Sequence, residues 1–493
     1  MANKFKKFLF SNWVLILILL IGAFLRLFKI ADYMEFLGDQ GRDVYIIRDL
    51  FRHGNLFFIG PQTSIGNMYL GPWFYYFIAP SLLLSFFNPV GPAIFIALIN
   101  ILTIFLIYYI GNKWFNRSVG LISAFLFAIS PSVIKYSNFI WNPNIMPLFA
   151  LLFIFFFFEA IFKHKFKYFI FASLAFVMVI NSHYLGLALL PLPGLCWLFF
   201  LIKFFRSKSK YLKPFITNSL LALFVFILSL TPQILFDLKH DGQNVKALIS
   251  FFTYRETTVN IKAYKAIPEL PSIFNQVNTD LLSGKDASIG IIISVVFALL
   301  IAIYLIKNKI KNYRFWIIFV WYLIGLTALA LYKQHIYTHY FAFLFPAVFL
   351  SIGFLISKHR LIGIPLLILI TYFSITNSPL CYQPNHQMST VQKITDSIIT
   401  KSDGQNYNFS LLAKQNYDPP YRYFLTKTDE TKLVTLDQEV TDQLFVVCEP
   451  FQMDCNPINN PEWSIAAFGW AEIDSEWEID GIKIYKLVHP QTE

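Results

Sequence analysis

SNWVLILILLIGAFLRLFKI (residues 11–30) runs directly into ADYMEFLGDQGRD (31–43). The first stretch is apolar apart from Arg26 and Lys29, and at ~1.5 Å per helical residue it is long enough to cross a bilayer core. The second is acidic, with Asp32, Glu35, Asp39 and Asp43, and Asp49 follows shortly after. Carboxylates at a membrane surface are costly to hold among lipids, so they face water or a functional cavity. A solvated loop would explain them; so would a catalytic carboxylate at the mouth of a membrane-embedded site.

The rest of the chain fits a polytopic membrane protein. It has 493 residues, 56 % hydrophobic and 14 % charged, with a mean hydropathy of +0.55. Soluble domains carry about a quarter charged residues. The formal net charge of +11 is unevenly spread. From residue 378 onward there are 8 Lys/Arg against 17 Asp/Glu, so the basic excess belongs to the membrane part. It sits in six short loops, 1–10, 111–117, 162–168, 203–213, 307–314 and 357–361, which hold 19 basic residues and no acid. This is the positive-inside pattern, so these loops and the N-terminus are expected in the cytoplasm. It is not a nucleic-acid signature.

The spans that follow are 11–30, 91–110, 118–136, 145–161, 168–182, 184–203, 214–233, 287–306, 315–332, 339–357 and 361–377. Eleven spans starting inside place residues 378–493 outside. A further apolar segment, 69–87, contains Pro72 and Pro80 and begins with Trp73, Tyr75 and Tyr76. It is read as a juxtamembrane helix that does not span, packed against protein at the outer side. The basic start followed by a full-length span predicts a signal anchor. Two outer segments remain within the membrane part, 31–90 and 234–286. The expected architecture is an all-α membrane domain (1–377) of about eleven spans plus the juxtamembrane helix, followed by a small extracytoplasmic α/β domain (378–493). In the latter, Leu444–Val447 and Ile482–Leu487 read as strands and 389–400 as an amphipathic helix. Cys448 and Cys455 are close enough to pair, and two free thiols are equally consistent with the spacing. The lack of an internal repeat argues against a transporter built from inverted halves.

Several polar stretches lie on the expected outer side. Tyr136-Ser137-Asn138-Phe139-Ile140-Trp141-Asn142-Pro143-Asn144 forms a turn in which Asn142 and Asn144 either cap helices or face a cavity. Asn181-Ser182-His183-Tyr184 joins two spans, and a lone interfacial His is usually a capping residue. Lys333 to Tyr340, with His335 and His339, offers cations for a phosphate at the bilayer surface, or simple interfacial anchoring. Arg255 is a further phosphate candidate. The chain has no Walker loop, zincin helix or Gly-x-Ser-x-Gly, and no defensible metal triad; participation of a divalent cation is left open. An outer cavity, one carboxylate and dispersed cations suit sugar transfer from a lipid phosphate. The acceptor hydroxyl needs a base, whereas the departing phosphate needs only cations to stabilise its charge.

At these residues the chain resembles the GT-C membrane glycosyltransferases, in particular the protein O-mannosyltransferase and aminoarabinose-transferase group, over roughly residues 8–375. That family carries an acidic motif, commonly Asp-Glu, after the first span, and its Asp is taken as the base. Asp39-Gln40 looks like that position, with Gln in place of the usual Glu. Leu70-Gly71-Pro72-Trp73-Phe74-Tyr75-Tyr76 is similar to the family's Pro-Pro-Leu-Tyr segment with one Pro missing. Where many members have a second Asp after the third span, this chain has Asn142 and Asn144. The resemblance implies an inverting transfer of a sugar from a polyprenyl-phosphate donor to an extracytoplasmic glycan, lipid or protein acceptor. It implies Asp39 as base, with Asp43 and Arg42 in support. Asn142, Asn144, His183 and Tyr184 would line the pocket, and Arg255, Lys333 or His339 would meet the phosphate. The rivals are a lipid-linked-sugar transporter or flippase, which needs the cavity but no base, and a non-catalytic glycan-binding assembly subunit.

Overall fold

The structure, a computed structural model, describes residues 2–63, 68–253, 258–260, 262–308, 312–449 and 455–490, with backbone alone at 2–11, 263 and 308. Arg255, Lys309 and Lys311 lie outside the described residues. The chain forms two compact units. One comprises 1–28, 56–80 and 94–383; the other comprises 29–55, 81–93 and 384–493.

The first unit is helical and built to cross a membrane. Among the described residues seven helices are long and apolar enough to span, Val90–Trp114, Asn142–Lys163, Tyr184–Arg206, Leu212–Ser229, Ala287–Lys307, Tyr313–Leu331 and Thr338–Lys358. Four other expected spans are shorter apolar helices, Asn12–Leu27, Arg117–Ile129, Tyr168–Ser182 and Arg360–Thr376. The segment expected not to span contains the helix Trp73–Leu84. Its 12 residues reach about 18 Å, short of the ~30 Å hydrocarbon core. Thr338–Lys358 is the hub, with 94 % of its apolar window buried, whereas Leu212–Ser229 has only 6 % buried and turns its side chains outward. The segment 234–286, read as mixed, contains the helices Gln243–Thr253 and Leu270–Leu282.

Arg26, the charge inside the first apolar helix, is 1 % exposed. Its guanidinium donates to the carbonyls of Ala128 (2.8 Å) and Phe127 (3.2 Å), at the C-terminal end of Arg117–Ile129. A helix C-terminus presents unpaired carbonyls and partial negative charge. The two terminal nitrogens of this intramembrane cation therefore bond protein carbonyls rather than lipid, and Nε has no partner among the described residues.

The second unit contains a four-stranded sheet, β1 (Asn408–Leu412), β2 (Gln443–Cys448), β3 (Glu472–Ile479) and β4 (Ile482–Val488), in the order β1-β2-β4-β3. β1 runs parallel to β2; β4 runs antiparallel to β2 and β3. β2 is buried at every residue, as a central strand covered on both faces must be. The β3–β4 hairpin turns at Asp480-Gly481, both at positive φ (51° and 82°), the backbone that a two-residue turn needs. Both expected strands are present, and the amphipathic helix runs over Gln387–Lys401. β1, β3 and the helix Pro419–Leu425 went unread in the sequence. Cys448 and Cys455 are disulfide-bonded.

Candidate functional site

The acidic stretch after the first apolar helix is itself a helix, Gly38–His53. Gln40 fixes its start: its side-chain oxygen accepts the Leu37 backbone N–H at 3.0 Å. This is the reach-back half of a capping box, and a neutral Gln serves it as well as the family's Glu. Asp39 lies in the first turn and Arg52 and His53 in the last, each on the favourable end of the helix dipole. Asp39, Arg42 and Asp43 share one face. Arg42 donates from Nη1 to Asp39 (2.8 Å), and from Nε (3.0 Å) and Nη2 (2.7 Å) to one oxygen of Asp43. The two carboxylates differ in access: the Asp39 side chain is 44 % exposed and that of Asp43 is 0 % exposed. Arg42 holds both, but of the two only the Asp39 carboxylate is open to solvent.

The remaining predicted residues with described side chains belong to the first unit. The 3-10 turn Asn142–Ile145 is pinned by its own amides. Asn142 donates to the Ser182 carbonyl (2.6 Å) and Asn144 to that of Phe139 (2.9 Å). Both amides thus tie down neighbouring backbone, which does not by itself decide between the capping and cavity readings of the sequence. Asn144 Oδ1 is buried and has no hydrogen-bond partner among the described residues. It borders a small cavity lined also by Asn100, Tyr136, His339 and Phe345. His339 stands in an aromatic cage: Trp141 at 4.3 Å between ring centroids, Tyr340 at 4.7 Å, Tyr337 at 5.7 Å and His183 at 6.3 Å.

His183 accepts the Leu185 N–H on Nδ1 at 3.1 Å, so a neutral ring carries its proton on Nε2. Desolvation pushes its pKa down to about 4. At neutral pH His183 is therefore a hydrogen-bond donor and not a cation. Tyr184 donates to the Tyr69 carbonyl (2.8 Å) and accepts from Gln233 (3.3 Å). Asn181 accepts the Trp73 N–H (3.3 Å), and Trp73 Nε1 donates to Ser229 (2.7 Å). The Leu70–Tyr76 segment is thus fastened to the 181–184 turn. Lys333 is exposed, with its backbone N–H on the Thr258 carbonyl.

Sequence reasoning missed Asp280. It lies on the helix Leu270–Leu282 and accepts from Thr338, the residue before His339, at 2.6 Å. Only the amphipathic spacing of Ile273, Val277 and Leu281 hinted that its helix packs against protein. Desolvation raises its pKa above 3.8, opposed by Thr338, Lys285 and His335. The folded chain therefore binds this proton more tightly than the unfolded chain. The resulting stability is present below about pH 4 and falls as pH rises through the raised value. Asp280→Asn keeps an acceptor for Thr338 and removes the charge. It is expected to raise the melting midpoint near pH 7 and to flatten the decline between pH 4 and 7. An unchanged pH profile would show that Asp280 does not titrate in this range.

Among the described residues no group of three or more His, Cys, Asp and Glu is placed to hold a metal ion.

Residues 70–230 match the family model for dolichyl-phosphate-mannose-protein mannosyltransferases. The chain superposes on the crystal structure of ArnT from Cupriavidus metallidurans bound to undecaprenyl phosphate. The TM-score is 0.60 at 12 % identity, over 97 % of this chain and 98 % of that one. The fold is that of the GT-C membrane glycosyltransferases. The same GT-C architecture matches the arabinofuranosyltransferase AftD from Mycobacteria. There the TM-score is 0.54 at 9 % identity, over 98 % of this chain and 40 % of that one. No curated protein matches the sequence significantly.

Proposed function

We propose that this multi-pass membrane protein is a GT-C glycosyltransferase that moves one sugar from a polyprenyl monophosphate to an extracytoplasmic acceptor, with inversion. Asp39 is the general base. The observation that carries the reading is the contrast on one helix face: Asp39 is accessible and Asp43 is buried, and both are held by Arg42. A base must reach the acceptor hydroxyl within hydrogen-bond distance, and Asp39 alone of the two can. Arg42 fixes its rotamer. In the membrane unit, Asn142, Asn144, His183, Tyr184 and His339 form the polar and aromatic lining for the donor head group, and Lys333 supplies a cation for its phosphate. Arg255 is assigned the same role. The undecaprenyl phosphate in the similar ArnT structure and the mannosyl-phosphate lipid in the family description support a lipid-phosphate donor.

The test is release of labelled sugar from a panel of polyprenyl-phosphate donors by the purified chain in lipid nanodiscs. Transfer by the parent and its loss in Asp39→Asn support the reading. Movement of lipid-linked sugar across a vesicle membrane without any transfer would favour a flippase instead.

The proposed sidedness follows from the six basic loops. Cysteines placed singly in 203–213 or 307–314, in a Cys381→Ser background, should resist an impermeant thiol reagent in intact cells. Cysteines in 234–286 or 400–442 should label. Labelling of 203–213 from outside would overturn the span assignment.

A further inference from the structure

The segment Asn416–Arg422 fits against the first turns of the helix that carries Asp39, where two glycines stand one turn apart. A Cβ on Gly38 would lie 2.6 Å from the ring of Tyr417, and one on Gly41 would lie 2.3 Å from the backbone nitrogen of Pro420. No other residue leaves room for this approach. Asn416 fastens the contact. Its Oδ1 accepts the Gly38 N–H at 2.9 Å and the Tyr417 N–H at 2.9 Å, and its Nδ2 donates to Glu449 at 2.7 Å. The same Glu449 oxygen accepts from the Tyr421 hydroxyl at 2.8 Å. A carboxylate can only accept, so it fixes which way the Asn416 amide faces. Glu449 directly follows β2, the fully buried central strand.

We infer that Asn416 and Glu449 are positioning residues: they transmit the rigidity of the C-terminal sheet to the N-terminal turn of the Asp39 helix and so set the direction of the Asp39 carboxylate. Helix starts fray because their first N–H groups lack intrahelical partners. Gly38 supplies one of those groups, and the adjacent residue is Asp39. The catalytic half of this inference rests on the proposed role of Asp39; the structural half does not.

Hydrogen exchange of the peptide covering 36–44 and transfer kinetics are measured together on the full chain in nanodiscs, with the polyprenyl-phosphate donor that the parent uses. Asn416→Ala and Glu449→Ala should each speed exchange in this peptide about tenfold, the worth of one lost hydrogen bond. They should lower kcat by a similar factor and leave KM for the lipid donor within about twofold. Glu449→Gln retains an acceptor oxygen for both Asn416 and Tyr421 and should behave as the parent. Gly41→Ala, whose Cβ would collide with the Pro420 backbone and push the 416–421 segment away, should reproduce the Asn416→Ala phenotype. Unchanged exchange in Asn416→Ala overturns the inference. So does faster exchange with undiminished kcat in a background where Asp39→Asn is inactive. If Asp39→Asn is fully active, the proposed base is wrong; the structural coupling is then judged by exchange alone and fails if Asn416→Ala does not alter it.

Discussion

Asp39→Asn should lower sugar transfer by ~10²–10⁴-fold, the usual worth of a positioned general base, and leave the protein folded. The substitution preserves shape and still offers Arg42 an oxygen to bond. The ion pair it removes has an Asp39 side chain 44 % exposed and an Arg42 side chain 28 % exposed, and pairs this accessible contribute little to stability. Lipid-donor affinity should hold, because the carboxylate acts on the acceptor. Asp43→Asn is the informative comparison and is expected to fail differently. Its carboxylate is wholly buried and takes two donors from Arg42. The substitution leaves Arg42 paired with Asp39 but replaces its charge-assisted bonds to a buried carboxylate by a neutral contact, at a cost of about 1.5–3 kcal/mol. Asp43→Asn should therefore lower the melting midpoint and the yield, with activity falling in proportion to folded protein. Melting curves beside kcat separate the two. A stable, inactive Asp43→Asn together with an active Asp39→Asn would move the base one helical turn along.

The membrane part was legible because a bilayer imposes length and polarity on each segment. Runs of apolar residues and basic loops therefore marked the helices, and the segment with Pro72 and Pro80 contains the 12-residue helix Trp73–Leu84. The acidic motif was legible as a motif but not as a mechanism. The motif resemblance singled out Asp39 over Asp43 in the sequence; what the sequence could not give is their difference in access, 44 % against 0 % exposure of the side chain. The second unit joins residues 29–55 to 384–493, a pairing that no local pattern announces. Nothing in the sequence marks Gly38 and Gly41 as contact positions, yet a Cβ at either would collide with the segment at Tyr417 and Pro420. Asp280 escaped because a single carboxylate in an amphipathic helix looks like its solvated face. Asn142, Asn144 and His183 were singled out for their chemistry, and each proves to have a backbone hydrogen bond that fixes a turn.

The largest structural effect in the second unit is expected at Arg48, on the helix Gly38–His53. It is 2 % exposed. Its guanidinium donates to the Tyr423 carbonyl at 2.6 Å and to the Thr426 hydroxyl at 2.5 Å. It also lies 4.5 Å from the Tyr423 ring centroid and 5.1 Å from that of Tyr45. Hydrogen bonds from a charged donor are worth about 1.5–3 kcal/mol each, and a desolvated cation–π contact adds up to ~2 kcal/mol. Burying the ion costs several kcal/mol in return, so the net loss in Arg48→Ala should be about 3–5 kcal/mol. The side chain's volume is lost as well. Arg48→Met restores volume without donors and should recover only part of the loss. The tyrosine hydroxyl reports on the same packing from the far side, since Tyr423 donates to the Phe87 carbonyl at 2.6 Å. Tyr423→Phe keeps the ring beneath Arg48 and should cost no more than about 0.5–1.5 kcal/mol, the net worth of one partly buried hydrogen bond. Protease susceptibility of the 384–490 region in nanodiscs reads both effects without requiring the membrane helices to unfold. If Arg48→Ala is cut no faster than the parent, the guanidinium's interactions only balance its burial, and the glycine-lined contact at Gly38 and Gly41 holds the two segments together without it.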